Sequence, residues 1–265
     1  MTDVVLPYGH EPNAKLSIFK GELLRYTLRS WAKNAENIGR IIIIGDPPKW
    51  VNNVIVEPYP DVMANKNQNM FLKLFHAIHK FRLDKVFLYG SDDHILLGPV
   101  DFDNHPLYYR RNKLRPDPRY TITDPDLRAK VKPRWYEKML YETRRTLMKH
   151  GYPIIEFEGH VNRPLDPKYA DEVWKMVFDD PEHIPVFFGE IGSLFSNVKL
   201  KHEKIPNIAY RRDIKLVSVE GKEDLMSQID DTHDYISCAD EALESPYFVN
   251  FLNTNFPERC VFEKG

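Results

Sequence analysis

The chain of 265 residues has 42% hydrophobic and 29% charged residues and a net charge of −2, a composition typical of a soluble globular protein with a large core. It contains no apolar run of about 18 residues and no basic leader followed by an apolar stretch, so neither a membrane span nor a signal peptide is expected. The two cysteines, Cys238 and Cys260, are too few for a disulfide framework and indicate a reduced, cytoplasmic protein.

The first third of the chain alternates between short apolar runs and stretches with a helical spacing of apolar residues. The predicted strands cover Asp3 to Leu6, Arg40 to Ile44, Asn53 to Glu57 and Lys85 to Tyr89. The predicted helices cover Lys20 to Asn34 and Asn67 to Phe81. This order predicts βαβ units in a mainly parallel sheet flanked by helices. Such sheets bind ligands beyond the carboxyl ends of their strands.

The second half of the chain is less regular. Its predicted elements are a hairpin or loop arm from Tyr108 to Arg119, a long helix from Pro133 to His150, strands from Ile154 to Phe157 and from Ile214 to Val219, and helices from Asp166 to Phe178 and from Pro246 to Asn255. No linker interrupts the sequence, so residues 1–265 are predicted to form a single α/β domain.

Positive charge is concentrated between Tyr108 and Lys149, where 13 lysines and arginines outnumber 5 acidic residues and give a net charge of +8. Aromatic residues are interleaved with these cations, namely Tyr108, Tyr109, Tyr120, Trp135, Tyr136 and Tyr141. This pattern suits a polyanion whose bases can stack, such as DNA. The alternative is a solvated basic helix whose aromatic residues pack inward.

Two adjacent carboxylates, Asp92 and Asp93, follow the predicted strand that ends at Tyr89. Adjacent carboxylates raise each other's pKa unless a cation or hydrogen-bond donors compensate. Mg²⁺ and Mn²⁺ prefer oxygen ligands, so the pair predicts a divalent-metal site for a nucleoside diphosphate. Asp93 is the expected direct ligand. The alternative interpretation is a solvated turn.

Other polar residues at strand ends and at a helix start are candidates for the nucleotide site. They are Pro7, Tyr8 and Gly9 after the first strand, Asp46 after the second strand, Lys66 and Asn69 at the start of the second helix, and Ser91 beside the two carboxylates. A helix start favours phosphate through its amide N–H groups, and a carboxylate at a strand end suits a ribose or a base. Turn capping and helix capping are the alternatives.

Two residues of the second half are candidates for acid–base chemistry. His160 follows a predicted strand and has Glu158 nearby, and we expect it to be a metal ligand or an acid–base group. Glu190 lies in FFGEIGS, among apolar residues and glycines, and is a candidate base for an acceptor hydroxyl. The alternatives are a structural histidine and a glutamate that caps a helix or pairs with a cation.

Several segments resemble known sugar-transferring enzymes. Leu24 to Trp50 and the later VFLYGSDDHIL are similar to the second conserved region of Stealth-type sugar-phosphate transferases. Gly159 to Trp174 resembles their third region, and Phe256 to Lys264 resembles their end. The family opens with Trp-Val-Asp-Gly, where this chain has Leu6 to His10. The Asp-Asp strand end also resembles that of GT-A glycosyltransferases, an architecture that both groups share.

The resemblance implies a GT-A-like, Rossmann-like fold and a nucleotide-sugar transferase. The expected reaction moves a sugar from a nucleoside-diphosphate sugar, here a UDP-sugar, to an acceptor hydroxyl. Residues 1–103 are expected to bind the donor, and residues 104–265 the acceptor. Mn²⁺ or Mg²⁺ would be held by Asp92, Asp93 and His160, and the catalytic residues would be Asp92, His160 and Glu190.

The acceptor and two alternative functions stay open at this point. The acceptor is an anionic one, such as a hydroxymethylated base in DNA bound through residues 108–149, or it is a glycan. The first alternative function is a sugar-1-phosphate transferase that acts on a capsular polysaccharide, as in the Stealth family. The second is a nucleic-acid-binding protein without enzymatic activity, which would use the basic segment alone.

Overall fold

The computed structural model describes residues 1–9, 21–63, 66–111, 116–117, 119, 122–132, 135–157, 159–178, 194–202, 208–210, 212–216, 229, 232–238 and 240–264. Within these ranges the strands are β1 (Thr2–Pro7), β2 (Ala35–Glu36), β3 (Ile38–Ile44), β4 (Ile55–Glu57), β5 (Phe87–Tyr89), β6 (Ile95–Leu96), β7 (Val100–Asp101), β8 (Leu107–Tyr109), β9 (Arg163–Leu165), β10 (Ile208–Tyr210), β11 (Asp213–Leu216) and β12 (Tyr235–Cys238). The α-helices are α1 (Glu22–Asn34), α2 (Lys66–Phe81), α3 (Pro125–Lys130), α4 (Trp135–Lys149), α5 (Ala170–Phe178), α6 (Leu194–His202) and α7 (Pro246–Asn255). None of these helices is long and apolar enough to cross a membrane.

A five-stranded sheet in the order β4-β3-β1-β5-β9 forms the centre of the fold. The strands β4, β3, β1 and β5 are parallel, whereas β9 runs antiparallel to β5. The chain moves outward from β1 through β3 to β4, and it then crosses by way of α2 to β5 on the other side of β1. The strand order therefore reverses between β1 and β5. The predicted α/β class and the mainly parallel sheet are confirmed.

The isoleucine run of β3 is buried on both faces of the sheet, because successive side chains of a strand point to opposite sides. Ile41 and Ile43 pack in a core cluster on the side of α1, which contributes Trp31. Ile42 and Ile44 pack in the opposite cluster, with residues of α2 and α5. Burial on both faces explains why this strand is continuously apolar instead of alternating.

Gly45 allows the chain to leave β3 beside the end of β1. Its φ of +140° lies in a region that L side chains rarely adopt, and a Cβ atom at this position would overlap the carbonyl oxygen of Tyr8. The Tyr8 N–H in turn donates to the carbonyl of Ile44 at 2.9 Å. Glycine at position 45 therefore keeps the exits of β1 and β3 in contact, at the edge where the candidate site lies.

Two predicted elements of the second half differ in the structure. Ile154 to Phe157 is not a strand, because only Glu156 forms a bridge, with Arg111. The buried carboxylate of Glu156 lies 3.5 Å from Arg110 and 3.7 Å from Arg111, so this segment is organised by ion pairs and not by a ladder. The arm that begins at Tyr108 is also no hairpin in its described residues, since β8 pairs in parallel with the distant β10.

The other predicted helices and the predicted strand near Ile214 lie close to their predicted positions in the described residues, whereas β9, β10, β12, α3 and α6 were not predicted. The Asp166 carboxylate accepts a hydrogen bond from Lys168 N at 3.2 Å and caps a 3-10 turn that leads into α5. The helix predicted at Pro246–Asn255 is α7, whose N-terminus is capped by the Ser245 hydroxyl at 3.4 Å from Phe248 N. These ends were predictable because caps and prolines are local signals.

Candidate active site at the carboxyl edge of the sheet

Three predicted site segments lie at the carboxyl ends of neighbouring parallel strands. Pro7 is the last residue of β1 and is followed by Tyr8 and Gly9, Gly45 and Asp46 follow β3, and Ser91 to His94 follow β5. Because β3, β1 and β5 are adjacent and parallel, these segments meet at one edge of the sheet. Open α/β sheets bind ligands at the point where their strand order reverses, which here lies between β1 and β5.

The carboxylates lie in a tight turn at the end of β5. The His94 N–H donates to the carbonyl of Ser91 at 3.2 Å, which closes the turn around Asp92 and Asp93. The Ser91 hydroxyl donates to Asp92 Oδ1 at 3.1 Å. The turn thus carries two carboxylates on adjacent residues, and the Ser91 hydroxyl is hydrogen-bonded to the first of them, Asp92.

Gly90 brings this turn close to the sheet and to α1. Its N–H donates to the carbonyl of Val5 at 2.9 Å, which extends the pairing of β1 and β5. A Cβ atom on Gly90 would lie 2.6 Å from Cη2 of Trp31 and 3.1 Å from Cγ1 of Val4. Both neighbours are buried, so neither side chain can move away freely.

We expect Gly90→Ala to destabilise the protein by about 1–3 kcal/mol, because the added methyl group overpacks a closed region of the core. Gly98→Ala is the matched control, since a Cβ atom there meets no other atom within 4 Å. Its effect should stay within about 0.5 kcal/mol. Urea unfolding of both variants measures the difference, and equal losses would contradict the steric role of Gly90.

One face of α1 holds the main chain of the segment that follows β5. The side chains on this face are spaced at i, i+3, i+4 and i+7, which places them in one row. Thr27 Oγ1 donates to Asp92 O (2.6 Å), Trp31 Nε1 donates to His94 O (2.9 Å), Asn34 Nδ2 donates to Leu96 O (2.9 Å), and Ser30 Oγ accepts from Leu96 N (3.0 Å). All four side chains are buried, so these hydrogen bonds are shielded from water.

Asp93 lies between two imidazole rings. Its Oδ1 is 3.9 Å from Nε2 of His94, and its Oδ2 is 3.8 Å from Nδ1 of His160. These distances are longer than direct hydrogen bonds and describe electrostatic contacts. Burial is the largest influence on the Asp93 carboxyl and by itself would raise its pKa, but His160, His94 and Ser91 together outweigh burial and hold the pKa below its usual range. Asp93 is therefore ionised at neutral pH.

His94 is uncharged at neutral pH. Burial lowers the pKa of its imidazole to about 3, and the adjacent Asp93 carboxylate opposes this shift only in part. Its ring lies edge-on to Tyr89, with 5.8 Å between the ring centroids. His94 is consequently a packed side chain of the turn, and the more accessible histidine next to Asp93 is His160.

The antiparallel pairing of β9 with β5 brings His160 to the site. The segment before β9 runs beside the end of β5, where Asn162 Nδ2 donates to the carbonyl of Tyr89 at 3.3 Å. The His160 N–H donates to Asp213 Oδ2 at 3.1 Å, and its side chain is 27% exposed. His160 can therefore contact a ligand and the Asp93 carboxylate together.

Lys73 is a residue at this edge that the sequence interpretation did not single out. Its side chain is 2% exposed, and its ammonium group lies 2.7 Å from both the carbonyl oxygen of Tyr8 and Oδ1 of Asp61. It ties the segment after β4 to the end of β1. A lysine within the apolar face of the predicted helix, next to Leu74, is the signal that could have identified it.

The remaining candidates for the nucleotide site and for acid–base chemistry differ in their exposure. Asp46 and Lys66 are exposed, the first after β3 and the second at the first residue of α2. The Asn69 side chain is buried, and its amide bonds the N–H and the carbonyl of Met63, both at 2.8 Å. Glu190 lies outside the described residues.

Many described cations of the basic segment have partners within the chain. Arg110 and Arg111 lie beside Glu156, Arg119 contacts Asp117, Arg128 donates to the carbonyl of Ile122, and Arg145 contacts Glu142. Glu156 lies outside this segment and offsets part of its positive charge, whereas Asp117 and Glu142 are already included in the net charge of +8.

Asp92 and Asp93 fit a cation of the Mg²⁺ or Mn²⁺ type as a partial ligand set. Across the described ranges, no group of three or more His, Cys, Asp or Glu side chains is arranged to hold a metal ion. Mg²⁺ is, however, often bound by only one or two carboxylates, with substrate phosphates and water as the other ligands. The ionised Asp93 and the adjacent Asp92 are donors of this kind, and His160 offers a nitrogen beside them.

Comparisons with known proteins leave the family open. No family model matches the chain, and no curated protein matches it. One similar solved structure is a glycosyltransferase involved in the glycosylation of the major capsid of PBCV-1, with 11% identity and a TM-score of 0.41 over 97% of this chain and 100% of that chain. A similarity at this level assigns neither a family nor an activity.

Proposed function

We propose that the protein is a metal-dependent glycosyltransferase that uses a nucleoside-diphosphate sugar. The observation that supports this proposal is the turn with Asp92 and Asp93 at the end of β5, next to the reversal of strand order, with His160 at 3.8 Å from Asp93. A parallel sheet offers a nucleotide site at this edge, and an ionised carboxylate there can hold a cation that binds phosphate oxygens.

In the proposed reaction, the acceptor hydroxyl oxygen forms a bond to the anomeric carbon of the donor sugar. The bond from that carbon to the diphosphate oxygen breaks, and its electrons leave with the nucleoside diphosphate. Asp92 and Asp93 would hold Mn²⁺ or Mg²⁺, which stabilises the negative charge of the leaving diphosphate. His160 would donate a hydrogen bond to a phosphate oxygen, and Glu190 is the proposed base that takes the hydroxyl proton.

The donor site is proposed to lie between the ends of β1, β3 and β5. Pro7, Tyr8 and Gly9 would border the nucleotide, Ser91 would line the side of the carboxylates, and Asp46, Lys66 and Asn69 would complete the pocket. UDP is the proposed nucleotide. Lys73 would stabilise this site, because its ammonium group donates to the Tyr8 carbonyl and thereby holds the peptide at the end of β1.

For the acceptor, a DNA base and a glycan both remain compatible with a transferase. The ion pairs of Arg110, Arg111 and Arg119 favour the glycan, because cations that already bind carboxylates contribute less to a polyanion site. Analysis of the product by mass spectrometry separates the glycoside of this proposal from the phosphodiester that a sugar-1-phosphate transferase would make.

The donor class can be tested by thermal unfolding with UDP-glucose, UDP-galactose, UDP-N-acetylglucosamine and GDP-mannose, each with and without MnCl₂. A ligand at about 100 times its Kd stabilises the folded state by about 2.7 kcal/mol, which raises the Tm by several degrees. We expect one donor to raise the Tm, and only when Mn²⁺ is present. Mn²⁺ alone and the free nucleoside are the controls. No shift with any sugar nucleotide would contradict the proposal.

A further inference from the structure

Two tyrosines of the second half form an aromatic pair, in which the Tyr210 ring is exposed and Tyr109 is half-buried. Tyr109 ends β8 and Tyr210 ends the parallel strand β10, and the two residues are direct partners in this pairing. Their rings meet edge to face, with 5.9 Å between centroids and an interplanar angle of 82°. Tyr210 is 60% exposed, although tyrosine rings are usually buried or half-buried.

Two chain connections link this pair to the segment of His160. Tyr210 lies three residues before Asp213, whose carboxylate accepts the His160 N–H at 3.1 Å, and three residues of extended chain span at most about 11 Å. Tyr109 precedes Arg110, whose N–H donates to the carbonyl of Glu156 at 2.7 Å, four residues before His160. A group that rests on Tyr210 would therefore lie within reach of the candidate active site.

We infer that Tyr109 and Tyr210 form a subsite for a saccharide acceptor, an inference that rests on the proposed glycosyl transfer. An exposed aromatic ring can pack against the apolar C–H face of a sugar, and the edge-to-face contact with Tyr109 fixes the orientation of the Tyr210 ring. The arginines nearby provide N–H donors for sugar hydroxyls.

The charges around the pair favour a neutral saccharide over a nucleic acid. Arg110 and Arg111 share the carboxylate of Glu156, and Arg212 lies 3.3 Å from Asp234. Non-specific single-strand binding sites combine stacking rings with a groove of cations that bind phosphates. The three described arginines of this region are opposed by two carboxylates, so the stacking surface carries only a small excess of positive charge.

The test uses the complete protein on a glycan array, followed by titration with the glycan that binds most strongly and with a single-stranded DNA 20-mer. We expect the wild type to bind glycans, Tyr210→Ala to weaken glycan binding by about tenfold or more, and Tyr210→Phe to retain it, because the ring and not the hydroxyl makes the contact. Tyr247→Ala is the matched control, since Tyr247 is a similarly exposed tyrosine of α7 and should leave binding unchanged.

The release of UDP from the donor in the absence of any acceptor separates this inference from the proposed function. Tyr210→Ala should hydrolyse the donor at the wild-type rate while it loses the glycan. Unchanged glycan affinity in Tyr210→Ala would overturn the inference, as would a wild type that binds the oligonucleotide and no glycan. A wild type that binds glycans through Tyr210 but neither binds nor hydrolyses a nucleotide sugar would overturn the proposed transferase and leave a saccharide-binding site.

Discussion

The double variant Asp92→Asn/Asp93→Asn is expected to lose metal-dependent turnover of the sugar nucleotide by on the order of 100-fold or more. Asparagine preserves the size of both side chains but removes the negative charges that hold the cation. We expect Asp93 to have the larger share of the effect, because it also lies 3.8 Å from His160, the other proposed ligand. Turnover is measured as release of UDP with and without Mn²⁺.

The matched control is Asp84→Asn, an exposed aspartate shortly before β5 at the opposite edge of the sheet. It should turn over the donor at the wild-type rate. The double variant should also lose the rise in Tm that Mn²⁺ and the donor produce in the wild type, which separates loss of binding from loss of chemistry. If the double variant keeps its Mn²⁺-dependent activity, the two carboxylates do not form the metal site.

Trp31→Ala is expected to destabilise the protein by about 3–5 kcal/mol. The indole is fully buried, it contacts Phe102 edge to face at 6.2 Å between centroids, and it packs against Gly90. Its Nε1–H also donates to the carbonyl of His94 at 2.9 Å. Truncation removes the packing and the hydrogen bond together, and it leaves a cavity directly behind the turn with the carboxylates.

Two further variants divide this effect into its parts. Trp31→Phe keeps most of the packing but leaves the His94 carbonyl without its donor, for an expected loss of about 1–2 kcal/mol. Trp174→Ala, at a half-exposed tryptophan of α5, should cost less than Trp31→Ala. Urea unfolding gives the free energies of unfolding. Comparable losses for the two alanine variants would refute the claim that the core behind the turn depends on Trp31.

The local elements of the fold could be predicted from the sequence with good precision. The bounds of α7 coincide with its prediction, and those of α2 differ by one residue at the start. Proline, glycine and capping side chains act on their immediate neighbours, so their effect does not depend on the rest of the chain. The strand β3 was predictable for a similar reason, because its apolar run ends in Gly45 and two prolines.

Elements that depend on distant partners could not be predicted in this way. The run from Ile154 to Phe157 has a strand-like composition, but Glu156 is buried against arginines that lie more than forty residues earlier, and no ladder forms. The pairing of β8 with β10 gives no local signal either. Composition cannot show which strands become neighbours. The sequence alone therefore could not exclude a hairpin in the arm after Tyr108.

For the candidate site, the sequence indicated residue types and the fold supplied their proximity. Asp93 and His160 were both candidates, yet only the antiparallel pairing of β9 with β5 explains why they are neighbours. Lys73 shows the opposite case. A charged residue on an apolar helix face is usually taken as a tolerated exception, and only the structure shows that its ammonium group is buried against Tyr8 and Asp61.

The row of side chains on α1 has a consequence for how this protein can change. All four hydrogen bonds go to peptide groups of residues 92 to 96, and none goes to a side chain of that segment. The helix therefore holds the main chain of this segment without using the side chains of Asp92 and Asp93. Substitutions at Asp92 and Asp93 can alter which cation or substrate is preferred while the supporting framework persists, so selectivity can diverge among descendants of such a chain without a concurrent loss of folding.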